Sequence, residues 1–158
     1  RLGKAVNLNE VLEHEDLFKA YPDLKKVRFI YAASAEHQLY VQCYTQYDLM
    51  TICDFNGNLK CNIYGPKWVN EKTQTQHYSL GVEFCGDKIL ALYSGGDHRT
   101  DAYYPTKFLV FDLNGNYLKT LETGYMITDF CYDKENNRLI INLNDEIQFT
   151  YLDLEGII

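Results

Sequence analysis

The stretch FLVFDLNGNYLKTL at residues 108 to 121 decides the fold. In it, two apolar runs flank Asp112-Leu113-Asn114-Gly115-Asn116, and an Asn-Gly step between apolar runs is a strong signal for a β-hairpin. The same acidic turn recurs as Asp54-Phe55-Asn56-Gly57-Asn58 and, in a shorter form, as Asp153-Leu154-Glu155-Gly156. We therefore expect repeated hairpins, with the glycines of the two longer turns at positive φ in equivalent positions.

An apolar triplet recurs at a spacing of 50 residues, as Leu39-Tyr40-Val41, Ile89-Leu90-Ala91 and Leu139-Ile140-Ile141. A period of that size is typical of repeat architectures such as β-propellers. Aromatic residues make up 15% of the chain, and aromatic side chains favour strands. The sequence therefore predicts an all-β fold, a partial β-propeller of about three four-stranded antiparallel blades.

We interpret residues 1–158 as a single domain. Residues 1–26 are predicted to be a helical connector, because apolar residues lie near helical spacing and Pro22 ends the run. Blade one covers residues 27–66, blade two 77–122, and an incomplete blade three 125–158, which stops as its fourth strand begins. The predicted strands are 27–33, 38–44, 49–55, 59–64, 78–85, 88–93, 108–112, 117–121, 126–132, 138–143 and 148–153.

Blade two carries an insertion between its second and third strands. Ile89 and Asp112 are 23 positions apart, against 15 for Leu39 and Asp54, a difference of eight. Successive antiparallel strands alternate in direction, so this insertion at residues 94–105 emerges on the same rim as the connector between blades one and two at residues 65–77. We call this the connector rim and the opposite side, with the Asn-Gly turns, the turn rim. Loops on such a rim are where binding residues are usually placed.

The candidate binding residues all lie on the connector rim. Aromatic faces suit sugars and peptides, although aromatic residues in strand-rich chains also serve as packing. Asp97, His98 and Asp101 are of types that bind divalent cations, but their spacing matches no calcium loop and Arg99 lies among them. We therefore predict neither a metal nor another cofactor. The candidates are Trp68, His77, Tyr78, Asp97, His98, Arg99, Tyr103 and Tyr104.

The sequence gives no catalytic motif. It has no Gly-x-Ser-x-Gly elbow and no phosphate-binding loop, so no catalytic residue is predicted. The net charge of −7, with thinly spread Lys and Arg, argues against nucleic acid as a partner. Cys43, Cys53, Cys61, Cys85 and Cys131 are an odd number without metal-ligand spacing, and each lies in or beside an apolar strand pattern. We expect buried free thiols, with a structural disulfide or a reactive thiol as the alternatives.

The acidic turns carry a resemblance to a known family. The segment Phe111-Asp112-Leu113-Asn114-Gly115-Asn116-Tyr117, echoed by Tyr151-Leu152-Asp153-Leu154-Glu155-Gly156, resembles the bacterial TolB-like six-bladed β-propeller proteins, in particular their extracytoplasmic lipoprotein branch. The resemblance covers roughly residues 27–158. It implies a propeller scaffold with a binding role, a periplasmic or cell-surface location and no catalytic residues.

These observations lead to one functional expectation and two alternatives. We expect a non-catalytic binding or scaffolding module outside the cytoplasm, whose ligand is a protein, a peptide or a carbohydrate. The alternatives are a metal-assisted hydrolase or lyase that uses the 94–105 loop, and a structural fragment of a larger propeller. Three blades would leave apolar faces of the first and last sheets exposed, so we also expect self-association, with contacts around residues 27–33 and 138–143, or coverage by remaining blades of the same protein.

Overall fold

The computed structural model describes residues 28–158, and the helix predicted within residues 1–26 lies outside this range. The described chain is all-β and forms three antiparallel sheets of four, four and three strands, which are the predicted blades of a partial β-propeller. Strand order follows the sequence within every sheet. Within residues 28–158, no helix is long and apolar enough to cross a membrane.

The strand bounds agree closely with the predicted ones. Blade one consists of β1 (Phe29–Ser34), β2 (Leu39–Tyr44), β3 (Leu49–Asp54) and β4 (Leu59–Tyr64). Blade two consists of β5 (Thr75–Cys85), β6 (Lys88–Asp97), β7 (Lys107–Asp112) and β8 (Tyr117–Glu122). Blade three consists of β9 (Ile127–Asp133), β10 (Arg138–Leu143) and β11 (Phe149–Asp153). The first strands of neighbouring blades pack together, β1 on β5 and β5 on β9.

The two Asn-Gly turns have the same geometry. Asp54 and Asp112 each accept two backbone N–H groups at one carboxylate oxygen, at 2.9 Å, and an asparagine amide at the other, at 2.8 Å. Gly57 has φ 89° and Gly115 has φ 85°, in the left-handed region that glycine occupies without strain. The prediction of equivalent turns is confirmed.

Two apolar cores hold the blades together. The core between blades one and two is built from alternate residues of β2 and β3, such as Val41 and Ile52, against residues of β5 and β6. The core between blades two and three includes Leu90 and Phe108 from blade two and Leu139 from blade three. In blade two, β6 is buried on both faces from Ile89 to Tyr93, as expected for a sheet stacked between two others, whereas β8 at the outer edge is largely exposed.

The 50-residue alignment of the apolar triplets is wrong by one position between blades one and two. Leu39 faces blade two, whereas Ile89 faces back toward blade one, because both belong to the core between these blades. The ladders agree: Leu39 pairs with Asp54, while the equivalent Asp112 pairs with Lys88. Side chains alternate between faces with period two, so a shift of one residue reverses every side chain. Between blades two and three the spacing of 50 holds.

The insertion in blade two is more regular than predicted. β6 continues to Asp97 and pairs with an extended β5 that begins at Thr75, instead of ending at residue 93. Residues Asp101–Tyr103 then form a 3₁₀ helix. After β11 the chain forms a turn, in which Ile157 N donates to Leu154 O, and no strand follows this turn within residues 28–158.

The cysteines are free thiols, with three of them buried: Cys43, Cys53 and Cys85. Burial raises the pKa of Cys43 and Cys85 well above the usual range of a thiol. The expectation of burial is wrong for Cys131, which is exposed on β9, and Cys61 is half-buried.

The outer faces of the first and last sheets differ. In blade one, every residue of β2 and nearly every residue of β3 is buried, whereas Tyr31 on β1, within the predicted contact region, is 65% exposed. Blade three does expose apolar side chains, with Phe149 66% and Tyr151 59% exposed. Exposed aromatic side chains are therefore concentrated on the outer face of blade three, with a smaller exposed area at β1 of blade one.

Candidate binding cleft

A cleft of about 430 Å³ lies between blades one and two, and it opens at the connector rim. We call it the first cleft. Its volume is within the range of small-molecule and peptide side-chain pockets. One wall comes from β4 and the connector after it, and the other comes from β5 to β8 of blade two. The residues that line the first cleft include Asp48, Tyr64, Gly65, Lys67, Tyr93, Lys107, Phe111, Tyr117 and Thr120.

Asp48 is the buried carboxylate of the first cleft. It lies in the loop between β2 and β3 and is only 1% exposed. Its Oδ2 accepts the backbone N–H of Lys67 at 2.8 Å, whereas Oδ1 accepts no hydrogen bond from any part of the chain that the structure describes. A buried acceptor without a donor is costly, but Oδ1 has almost no accessible surface, so a ligand could satisfy it only if the loop or the connector moved.

Gly65 allows Asp48 to occupy this position. Its backbone N–H donates to Asp48 O at 2.8 Å, which brings the connector against the loop. A Cβ atom on residue 65 would lie 2.1 Å from Asp48 Cγ, far inside any real contact. The chain therefore needs glycine here for close approach rather than for a special backbone conformation.

His77 and Tyr93 lie behind Asp48. His77 is 1% exposed, with Nδ1 3.3 Å from Tyr93 Oη and 3.8 Å from Asp48 Oδ1. Burial lowers the pKa of His77 despite the opposing effect of the Asp48 charge, so the imidazole is neutral at pH 7. Burial and then the Asp48 charge raise the pKa of Tyr93, which keeps its hydroxyl protonated.

Two lysines place positive charge in the first cleft. Lys67 Nζ donates to Gly95 O at 3.1 Å, across the gap between the connector and β6. Lys107 Nζ lies 5.6 Å from the centroid of the Tyr93 ring, in cation–π range. The cleft thus combines largely apolar walls, a buried carboxylate and two ammonium groups, which is an arrangement for orienting a ligand rather than for activating a nucleophile.

A second cleft, of about 510 Å³, occupies the equivalent place between blades two and three. The backbone defines the equivalence, because Thr123 N donates to Thr106 O at 2.9 Å as Gly65 N donates to Asp48 O. Asp48 and Gly65 therefore correspond to Thr106 and Thr123. The pair at the second cleft has neither the buried carboxylate nor the glycine that makes room for it.

The other polar positions of the first cleft are also replaced in the second. Tyr78 pairs with Tyr93 across β5 and β6, and Ile127 pairs with Leu143 across β9 and β10. Tyr93 therefore corresponds to Leu143, and Tyr78 corresponds to Ile127. His77, which precedes Tyr78, corresponds to Met126, which precedes Ile127. Counting back five positions from the turn aspartate, Lys107 corresponds to Gln148. Thus the scaffold forms the equivalent interface without an imidazole, a phenol or an ammonium group at these positions.

The predicted aromatic candidates are largely engaged in packing. Trp68 is half-buried, with its ring centroid 4.9 Å from that of Tyr64 and 5.9 Å from that of Tyr47. Tyr103 and Tyr104 stack on each other, with centroids 4.2 Å apart. Of the predicted residues, Tyr78 lines the first cleft and His77 lies behind it.

The predicted polar candidates in the insertion do not converge. Asp97 is paired with Arg99, whose Nη2 lies 2.6 Å from Oδ2, and this hydrogen bonding lowers the pKa of Asp97. His98 Nδ1 donates to the Gln74 carbonyl at 2.9 Å. Asp101 lies in the first turn of the 3₁₀ helix. Residues 28–158 contain no cluster of three His, Cys, Asp or Glu side chains arranged to hold a metal ion.

Sequence reasoning missed Asp48, Lys67, Tyr93 and Lys107. Asp48 and Lys107 lie at the starts of third strands, and Tyr93 lies in a strand that reads as core. Comparison of the repeats position by position could have found three of them, because Asp48, Tyr93 and Lys107 stand where blade three has Ile147, Leu143 and Gln148.

Comparisons with known proteins bear on the fold. No family model matches the sequence, and a search of curated proteins finds no match. Among solved structures, the fold is similar to a chain of "Crystal Structure of Mitotic Checkpoint Complex", with a TM-score of 0.51 and 9% sequence identity. The similarity covers 78% of this chain and 35% of that chain. It supports the partial β-propeller fold and, at this identity, the fold alone.

Proposed function

We propose that this protein is a non-catalytic binding module whose ligand, a segment of a partner protein, occupies the first cleft. The observation that carries the proposal is the set of buried polar groups at one blade interface, at positions that the neighbouring interface fills with neutral residues. Buried polar groups cost stability unless they are paired, so their presence at one interface alone favours a role in recognition over a role in folding.

A peptide fits this cleft better than a carbohydrate. Sugars bind against exposed aromatic faces, whereas Trp68, Tyr103 and Tyr104 pack against neighbouring rings. The first cleft is narrow and mostly apolar, with few polar groups at fixed points. Such a cleft takes a side chain together with the adjoining backbone. The hydrolase or lyase alternative gains no support from the insertion, because Asp97 and His98 are held by other partners.

The finer assignment rests on the sequence. The acidic turns resemble those of the TolB-like propellers of the extracytoplasmic lipoprotein branch, so we place the protein in the periplasm or at the cell surface. The exposed outer face of blade three is covered there, by a second copy of the chain or by remaining blades of the same protein. Fractionation of cells that carry the full-length gene tests the location, and recovery of the protein in the cytoplasm would contradict it.

Selection of peptides tests the binding role. A phage-displayed library of random 12-residue peptides is selected on the folded chain, and the enriched peptides are then measured against Thr120→Trp. Thr120 is exposed on β8, faces the first cleft beside Leu109 and also borders the second cleft, so the indole reduces the space in the first cleft without disturbing the core. We expect Thr120→Trp to weaken the selected peptides at least about tenfold.

The control is Lys119→Trp. Lys119 is the adjacent exposed residue, and alternation along the strand directs it to the other face of blade two. We expect this variant to bind the selected peptides as the native chain does. Enrichment of peptides that ignore Thr120→Trp, or failure to enrich any peptide, would overturn the proposed site.

A further inference from the structure

We infer that the first cleft recognises a tyrosine side chain of the partner segment, flanked by acidic residues. The inference rests on the proposed function, because it names the chemistry of the segment that the cleft binds. Three parts of the cleft carry it: the unsatisfied oxygen at the base, the aromatic walls and the two lysines.

The base of the cleft calls for a hydrogen-bond donor. Asp48 is 1% exposed and lines the cleft, and its Oδ1 accepts no hydrogen bond from residues 28–158. The nearest ring nitrogen of His77 is 3.8 Å away, beyond hydrogen-bonding distance. Because Oδ1 has almost no accessible surface, a ligand reaches it only when the loop that holds Asp48 or the connector at Gly65 shifts, and a ligand that then donates to Oδ1 removes the cost of leaving a buried carboxylate oxygen unsatisfied.

The donor that fits is neutral. Lys67 and Lys107 line the same cleft, and their positive charges disfavour an incoming ammonium or guanidinium group. A hydroxyl group donates to a carboxylate without that repulsion, in a short charge-assisted hydrogen bond.

The walls call for an aromatic ring. Tyr64, Phe111 and Tyr117 line the cleft, and aromatic rings pack edge to face or offset against one another. A phenol joins such a ring to a neutral hydroxyl at its far end. A tyrosine side chain therefore meets the requirements of the walls and of the base together.

The lysines call for acidic neighbours of that tyrosine. The second cleft has the same architecture, but Gln148 stands at the position of Lys107, and no lysine lines that cleft. Positive charge is thus particular to the first cleft. Complementary charge contributes to partner selection and to the rate of association, so carboxylates beside the tyrosine complete the match.

Three fluorescein-labelled peptides test the inference by fluorescence anisotropy. The first is Gly-Glu-Glu-Tyr-Glu-Gly amide, the second has Phe in place of Tyr, and the third has Gln in place of every Glu. On the native chain we expect the Tyr peptide to bind about tenfold more tightly than the Phe peptide, because only the phenol satisfies Asp48. The Gln peptide should bind more weakly than the Glu peptide, by a factor that shrinks with added salt.

Variants that copy the second cleft separate the two contributions. Asp48→Thr, which introduces the Thr106 residue type, should reduce the Tyr-to-Phe affinity ratio to near one while preference for the acidic peptide remains. Lys107→Gln, which introduces the Gln148 residue type, should reduce the acidic preference and keep the Tyr-to-Phe ratio. Glu36→Gln, which removes a carboxylate on the turn rim, should change neither ratio. Thermal unfolding verifies that each variant is folded.

The native chain alone suffices to overturn the inference. Equal affinity of the native chain for the Tyr and Phe peptides would overturn the inference, whether or not Asp48→Thr folds. An unchanged Tyr-to-Phe affinity ratio in folded Asp48→Thr would overturn it as well. If none of the three peptides binds while library-selected peptides remain sensitive to Thr120→Trp, the inference fails and the proposed function stands. If the library-selected peptides bind Thr120→Trp as tightly as they bind the native chain, the proposed function itself is contradicted.

Discussion

The two blade interfaces share a backbone and differ in chemistry. At the second interface, Thr106 and Leu143 occupy the equivalent positions, and neither side chain carries a charge. At the first, Asp48 and Tyr93 occupy the same positions, and His77 is buried with them. Because one scaffold supports both solutions, the fold does not require the polar residues. This difference is the strongest indication of function in the chain.

The largest expected effect comes from placing the second cleft's residue at Gly65. Gly65→Thr puts a Cβ atom 2.1 Å from Asp48 Cγ, so Asp48 must move and its hydrogen bond to Lys67 N is lost. We expect a loss of about 3 kcal/mol in the free energy of unfolding, measured by urea denaturation.

The matched control is the double variant Asp48→Thr with Gly65→Thr, which copies the pair at Thr106 and Thr123. It should recover most of the lost stability, since that pair coexists in blade two. A double variant as unstable as Gly65→Thr alone would show that the two interfaces are not equivalent.

Much of the fold was open to prediction because it follows from local chemistry. The Asp-x-Asn-Gly-Asn turns specify their hairpins within five residues, as the matching hydrogen bonds of Asp54 and Asp112 show. The site was less accessible, because Asp48 and Tyr93 are distant in sequence and meet only through sheet stacking. Trp68 was one of the predicted binding residues, yet its ring packs against Tyr64 and Tyr47 from other parts of the chain.

Acid should weaken the first interface selectively. Burial lowers the pKa of His77, so below about pH 6.5 the unfolded chain binds a proton that the folded chain does not. As the pH is lowered further, the free energy of unfolding falls by up to about 1.4 kcal/mol per pH unit, until the pH reaches the lowered pKa of His77 in the folded state. Above pH 7 the imidazole is neutral in both states and contributes no slope.

The variant His77→Met, which introduces the residue type of Met126, should lack this contribution. Urea denaturation from pH 7.5 to 5.0 should show the native chain losing stability relative to the variant as the pH falls. Parallel curves for the two proteins would mean that His77 is protonated equally in both states.

Trp68 gives a smaller effect and separates packing from recognition. Its ring packs on Tyr64 and Tyr47 outside the set of residues that line the first cleft. We expect Trp68→Ala to lower the free energy of unfolding by about 1 to 2 kcal/mol through lost aromatic contacts. Affinity for the selected peptides should change less than about threefold, whereas a large loss of affinity with unchanged stability would make Trp68 a binding residue.

The blade three surface predicts an effect on assembly rather than on folding. Phe149 and Tyr151 are exposed on β11, and we expect the isolated chain to self-associate through this face. Light scattering over a dilution series should show a concentration-dependent mass, which Phe149→Lys should reduce. A constant monomer mass at high concentration would contradict self-association.

The most direct test of the account replaces the buried polar groups of the first cleft together. The triple variant Asp48→Thr, His77→Met and Tyr93→Leu installs the residue types of the second cleft, and both its unfolding free energy and its affinity for the selected peptides are measured. The account predicts stability within about 1 kcal/mol of the native chain, or higher, because neutral packing replaces buried polar groups. It also predicts loss of peptide binding. A variant that binds the peptides normally but unfolds far more easily would show that these residues serve the fold.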